Sequence, residues 1–263
     1  MIDFELSDDQ RVLQKSEREL CERLIVQQAR SWDEEERFPH EVIKPMGEMG
    51  LFGMQVPEKY GGAGMKFHDY VIALEEIARA DASVGLTMAS HNSLCTGHIM
   101  LAGNEAQKQK YVPRLATGVV LGGWGLTEPG SGSDAGGMRT TAVRDGSHYV
   151  LNGSKNFITN GGIADTAVVM AVTDAAAGKK GISAIVVERG TKGFRSGRKE
   201  DKLGVRSSDT SELFFEDCQV PTENLLGVPG MGFIDTLRLL DKGRIGIAAF
   251  SLGIAQAARW SWA

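Results

Sequence analysis

Gly130-Ser131-Gly132-Ser133-Asp134-Ala135 fits G-x-G-x-x-A, the relaxed form of the fingerprint with which a strand-helix-strand unit grips a dinucleotide. That fingerprint must open a helix. Here Gly136-Gly137 follow, and the pattern then alternates: Thr140-Thr141-Ala142-Val143-Arg144, the turn Asp145-Gly146-Ser147, then His148-Tyr149-Val150-Leu151. Asp-Gly between two alternating runs is a hairpin signature, so the stretch reads as β structure and a doubly wound α/β fold is rejected. Asn152-Gly153 reads as a second hairpin turn leading into Lys155-Asn156-Phe157-Ile158-Thr159. Apolar runs at Ala167 to Val172 and Ile182 to Val187, then Leu213-Phe214-Phe215, carry the β pattern to about Val220.

On the amino-terminal side the period is helical. Ser7-Asp8-Asp9-Gln10 fits a capping box, and Val12, Leu13, Ser16, Leu20, Leu24 and Ile25 follow near 3.6-residue spacing. Further helical patterns run through His40-Glu41-Val42-Ile43, through Tyr70, Leu74, Ile77 and Ala78, and from Ala82 to Met100, closed by Gly103. On the carboxy-terminal side, after Gly227-Val228-Pro229-Gly230, a helix sets Phe233, Leu237, Leu240, Ile247, Leu252 and Ile254 on one broad face. It runs into Trp260-Ser261-Trp262-Ala263 without a stop signal. The expected fold is α+β multidomain: an all-α amino-terminal domain over 1–117, an all-β barrel or sandwich over 118–228, and over 229–263 the first helix of an incomplete, truncated helical bundle.

Composition narrows the function. Hydrophobic residues make up 42% and charged residues 24%, an ordinary globular balance, and no apolar run approaches the ~18 residues of a membrane span. No signal peptide opens the sequence. Residues 1–40 carry eleven acidic and six basic side chains, which accounts for the net charge of -5, and no basic stripe marks a nucleic-acid binder. Cys21, Cys95 and Cys218 form no pair or CxxC spacing, pointing to a reducing, cytoplasmic compartment. Glycine is unusual: 33 residues, twelve of them between Gly118 and Gly162, against about 7% on average, so the backbone there turns tightly or approaches something bulky.

The glycine-rich loop carries exposed amide groups and three hydroxyls, Thr127, Ser131 and Ser133, which suit phosphates or a flat heteroaromatic ring. A plain hairpin loop accounts for the residue types equally well. Glu128 and Asp134 are six apart; acidic side chains in such loops bond nearby amides, and that reading is preferred to an acid/base pair. His91 and His98 stand about two helical turns apart with no ligand partners, which argues for core positions over a metal site. Asp241 and Arg244, three apart on the last helix, form an ion pair by default and face a polar ligand as the alternative.

Four stretches together resemble the acyl-CoA dehydrogenases, flavoproteins that oxidise acyl-CoA thioesters. They are Leu126 to Asp134; Asn152 to Gly161; Gly204 to Thr210 with Phe215-Glu216-Asp217; and Asp241 to Ala249. The resemblance implies FAD bound by Trp124, Leu126, Thr127, Ser133, Phe157, Ile158 and Thr159, with Phe157 where members often carry Trp. It implies acyl-CoA contacts at Ser133, Asp241 and Arg244, a trans-2-enoyl-CoA product within β-oxidation, electrons passed to an electron-transferring flavoprotein, and a homotetramer. The likeness of Leu240 to Gln256 to short-chain members suggests short or branched acyl substrates.

In the family a carboxylate removes the α-proton. Most members place that Glu beyond the position of Ala263, and a minority place it immediately before the residue matching Arg244, where this chain has Gly243. No catalytic residue is assigned. A fragment whose remainder holds the Glu is the expectation; a non-catalytic CoA-ester- or partner-binding homologue and an acyl-CoA oxidase are the alternatives.

Overall fold

The computed structural model describes residues 5–260, except the Trp260 side chain; Trp260, Trp262 and the missing stop signal noted in the sequence therefore lie outside the described side chains. Helix α1 (Asp8–Leu24) opens on the expected capping box: the Gln10 amide donates to Ser7 Oγ at 3.3 Å and the Ser7 amide to Gln10 Oε1 at 3.1 Å. Next come α2 (Ala29–Glu34), α3 (His40–Glu48) and α4 (Phe67–Ala80). They close on Leu20, Ile25, Trp32, Met46, Phe52, Tyr70, Leu74 and Ile77, all buried.

The helix expected from Ala82 to Met100 is interrupted. It is α5 (Ala82–Ser90), a π-helical stretch at His91–Thr96 and α6 (Gly97–Ala102). Two side chains bond back to carbonyls of the preceding turn, Asn92 Nδ2 to Met88 O at 3.1 Å and Ser93 Oγ to Ala89 O at 2.6 Å, and Asn92 Nδ2 also donates to Leu51 O at 2.8 Å. Such back-bonding widens the turn, and the local period shifts. Helix α7 (Glu105–Ala116) completes the helical part.

Among the described residues eight strands form one mixed sheet: β1 (Gly122–Gly125), β2 (Thr141–Asp145), β3 (His148–Thr159), β4 (Thr166–Val172), β5 (Ile182–Glu188), β6 (Phe194–Lys199), β7 (Thr210–Pro221) and β8 (Leu225–Leu226). The order is β6-β7-β3-β2-β4-β5-β8, with β1 parallel to β4. Period two explains why β4 and β5 are apolar on both faces, apart from Thr166, Ser183 and Glu188. Val168, Met170, Ile182, Ala184 and Val186 join a core with Cys95, Val112, Leu115 and Trp124, while Ala167, Val169, Ile185 and Val187 join Leu151, Ile158, Leu213 and Phe215 on the other face. Because β3 and β7 pack on the same interior as β4 and β5, the sheet curls around it.

Only one of the two expected hairpin turns forms. Asp145-Gly146-Ser147 joins β2 to β3, with Gly146 at φ +56, whereas Asn152-Gly153 lies inside the unbroken β3. The irregularity is on the partner strand: the register slips between Leu151 and Gly153, and Asp217 of β7 takes φ +47, fastened by Asn152 through bonds of 2.9 and 3.1 Å.

Helix α8 (Gly232–Trp260) packs on α4, but not by the apolar face the sequence suggested. Leu237, Ile247, Leu252 and Ile254 are exposed; Leu239, Gly246, Ala249 and Gly253 are buried. Small residues win because the backbones approach closely: a Cβ at Gly253 would lie 2.3 Å from Glu75 O. No helix among the described residues is long and apolar enough to cross a membrane.

Candidate functional site

The two motif stretches, far apart in sequence, meet because β1 and β3 are clamped at both ends. At one end Lys155, 0% exposed, sends its ammonium to Glu128 Oε1 at 2.7 Å and to Leu126 O at 3.2 Å. The Glu128 carboxylate also accepts from the amides of Arg139 at 2.6 Å and Thr140 at 3.0 Å. Burial alone would raise this carboxyl; the Lys155 ammonium, Thr140 and the Arg139 amide outweigh it and hold it below the ordinary range. Burial lowers Lys155, and the bond to Glu128 opposes that shift. At the other end Asn160, in the left-handed region at φ +63, donates to Gly122 O at 3.1 Å. Between the clamps the Asn156 amide bonds Thr127 O at 2.8 Å.

This arrangement sets Leu126 and Thr127 beside Phe157, Ile158 and Thr159. A bulge between Lys155 and Ile158, where three steps of β3 oppose two of β7, puts Phe157 at φ +59 and leaves the residue 62% exposed. A bulky residue in that region is strained, and such strain collects where a side chain must be aimed. Ile158 is buried under the lip. Trp124 is placed differently: its indole is buried, and its N–H donates to His98 Nδ1 at 3.1 Å, so only its backbone is left to face a ligand.

The glycine loop is a tight turn, with Glu128 and Ser131 exchanging backbone bonds of 3.0 and 3.1 Å and Ser131 Oγ bonding Asp134 O. Glu128 does hold nearby amides, as acidic loop residues tend to, but its strongest partner is Lys155, 27 residues on. Among the described residues, no protein group bonds the hydroxyls of Thr127, Ser133 or Thr159. A Cβ at Gly130 or Gly132 would meet nothing within 4 Å, so the fold itself leaves that space open.

His91 and His98 are core residues. His91 links Leu115 O and the Gly122 amide, each at 3.0 Å, and burial pushes both imidazoles down to about 4. No group of three or more His, Cys, Asp or Glu among the described residues could hold a metal ion. Asp241 and Arg244 form an exposed ion pair at 3.2 Å.

Arg244 also lines a cavity of about 340 Å³ that Thr159 reaches from the lip, walled by Leu86, Leu94, Leu240 and Ile247. No Asp or Glu among the described residues lines it. Lys155, Asn160 and the cavity wall from α5 and the π-helical stretch had no assigned role in the sequence reading, whereas Arg244 of α8 was an expected substrate contact. A lone lysine in a strand pattern, with a glutamate in the facing loop, was the one available signal.

The acyl-CoA dehydrogenase N-terminal domain model matches residues 7–119, and the acyl-CoA dehydrogenase middle domain model matches 123–218. The short-chain specific acyl-CoA dehydrogenase of Clostridium acetobutylicum is 49% identical over 98% of this chain and 68% of its own length. The butyryl-CoA dehydrogenase of Megasphaera elsdenii superposes with a TM-score of 0.95 at 44% identity, covering 98% of this chain and 68% of that one. A chain in the structure of the electron transferring flavoprotein of Acidaminococcus fermentans reaches a TM-score of 0.96 at 46% identity, over 98% and 68%. The chain thus spans about two thirds of the length of these relatives. With two domain models matching most of its length and relatives at 44–49% identity, the chain belongs to the acyl-CoA dehydrogenase family, a family of oxidoreductases.

Proposed function

We propose that this chain forms the flavin- and thioester-binding part of an FAD-dependent acyl-CoA dehydrogenase, which converts an acyl-CoA to its trans-2-enoyl-CoA. The observation that carries the reading is the lip of Leu126, Thr127 and Phe157 to Thr159, clamped by Lys155 and Asn160 and opening on an apolar cavity. The residues fit a flat, hydrogen-bonding ring: an exposed aromatic face, three unengaged hydroxyls and glycines that leave room. Solved members of the family are described with FAD or FADH2 bound.

Thr127 and Thr159 hold the edges of the ring, Phe157 stacks on it, and Trp124 contributes backbone. Ser133 would serve both the flavin and the acyl-CoA, and Asp241 and Arg244 would contact the CoA portion. The apolar cavity takes the acyl chain and keeps water from it. When bound, FAD supplies the acceptor for a hydride from the β-carbon. Loss of the α-proton needs a carboxylate, and since no described Asp or Glu lines the cavity, that acceptor comes from outside these residues. Electrons pass on to an electron-transferring flavoprotein, and the working assembly is a homotetramer taking part in β-oxidation. Three buried free thiols fit a reducing, cytoplasmic setting.

The carboxylate-free cavity also supports a second reading, a CoA-ester-binding module without chemistry. Adding FAD and then butyryl-CoA to the chain separates the two. Flavin uptake seen near 450 nm, weakened by Thr159→Val, supports the first; ester binding with no flavin uptake supports the second. A chain that takes up neither contradicts both.

A further inference from the structure

We infer that a second cavity, formed by α4, the π-helical stretch and the first half of α8, is a binding site for a small organic carboxylate. It lies next to the space that Thr159 and Arg244 line, measures about 390 Å³, the size of a small-molecule pocket, and its occupant needs neither flavin nor thioester.

The lining carries charge of one sign. Arg238 and Lys242, one turn apart on α8, stand exposed at the mouth, and no Asp or Glu among the described residues lines the space. Arg238 gives Nη1 to Asp235 Oδ1 at 3.0 Å, outside the lining, and its side chain is still 60% exposed. Lys242 has no carboxylate partner among the described residues; its ammonium stands 5.9 Å from the centroid of the Phe67 ring, a weak cation–π contact. Two cations at this spacing repel each other, and an anion held between them relieves the repulsion while accepting a bond from each.

Behind the mouth the walls are mixed. Phe67, Met100 and Leu239 supply apolar surface. Gln55 is half-buried with a carboxamide that bonds no protein group among the described residues, and Thr96, in the wall, keeps a buried Oγ1 without a partner. Unbonded polar groups inside a protein are costly, and a ligand atom that bonds them removes the cost. The occupant is thereby specified: a compact apolar body for the walls and one negative charge for a mouth where Asp235 already balances one of the two cations. The planar fork of Arg238 matches a carboxylate in shape as well as in charge.

The test is calorimetric titration of the chain with phenylacetate and with phenylacetamide, its uncharged counterpart. The wild type is expected to bind phenylacetate, with an affinity that falls as salt is raised, and to bind phenylacetamide roughly tenfold more weakly. Arg238→Gln and Lys242→Gln, both at exposed positions, should each weaken phenylacetate by roughly 3- to 10-fold while the melting temperature stays where it was. Arg244→Gln, which alters the neighbouring cavity, should change that affinity by less than about twofold. Absence of binding, equal binding of the two compounds, an affinity untouched by both Arg238→Gln and Lys242→Gln, or one that follows Arg244 instead, overturns the site.

Discussion

Lys155 Nζ lies 2.7 Å from Glu128 Oε1 with both side chains out of water, and this bond ties the strand that carries Phe157 to the loop that carries Thr127. Two opposed charges in a buried site are stable together and costly apart. Lys155→Met is expected to destabilise the chain by about 3–5 kcal/mol in urea unfolding, because Glu128 keeps its charge with two amides but no cation. Lys155→Met combined with Glu128→Gln should recover a large part of that loss. If the double variant is as unstable as the single one, the pair is not the clamp.

Glu17 is 1% exposed in α1, and burial, with the neighbouring Glu76 adding to it, pushes its carboxyl up to about 7. The folded chain thus keeps this proton at pH values where the unfolded chain, at the ordinary 4.5, has released it. Stability from this group is highest below about 4.5 and falls as pH rises toward 7, by an amount of up to about 3 kcal/mol. Glu17→Gln should remove that decline, so the stability difference between variant and wild type grows from pH 5 to pH 7, roughly the window of the shift. Parallel pH profiles would show that the carboxyl titrates normally.

Phe157 holds φ +59 while exposing its ring, a combination that its own folding does not require. Phe157→Gly removes about 1 kcal/mol of backbone strain and adds a comparable entropic cost, so unfolding should change by less than about 1 kcal/mol. FAD binding should weaken roughly 2- to 10-fold through the lost stacking face. A large stability loss with unchanged flavin affinity would make the ring a structural element instead.

Two glycines of α8 should respond in opposite directions. Gly253→Ala sets a Cβ against Glu75 O and the Arg79 backbone nitrogen, 2.3 and 2.9 Å away, and should cost about 1–3 kcal/mol as α8 lifts from α4. Gly243→Ala meets nothing within 4 Å and should stabilise by about 0.5–1 kcal/mol through helix propensity. Thermal melts of the two variants check the contrast directly.

Local patterns were readable wherever one neighbour decided the outcome. The Ser7–Gln10 capping box, the Asp145-Gly146 turn and the apolar runs of β4 and β5 all depend on residues close in sequence or on simple alternation. The buried histidines and the Asp241–Arg244 pair were legible for the same reason. Asn152-Gly153 misled because its outcome depends on Asp217, 65 residues away. The apolar stripe of α8 misled because close backbone approach selected the glycine side.

What the amino-acid order determined alone was the order of a helical part, a β part and a last helix, and the family signature, since both rest on short-range periodicity and on residue identity within single segments. Only the folded chain decided that Lys155 is buried against Glu128 and that Phe157 is strained and exposed. Those facts depend on which surfaces come within a few ångströms of each other across the chain, and no local period records that.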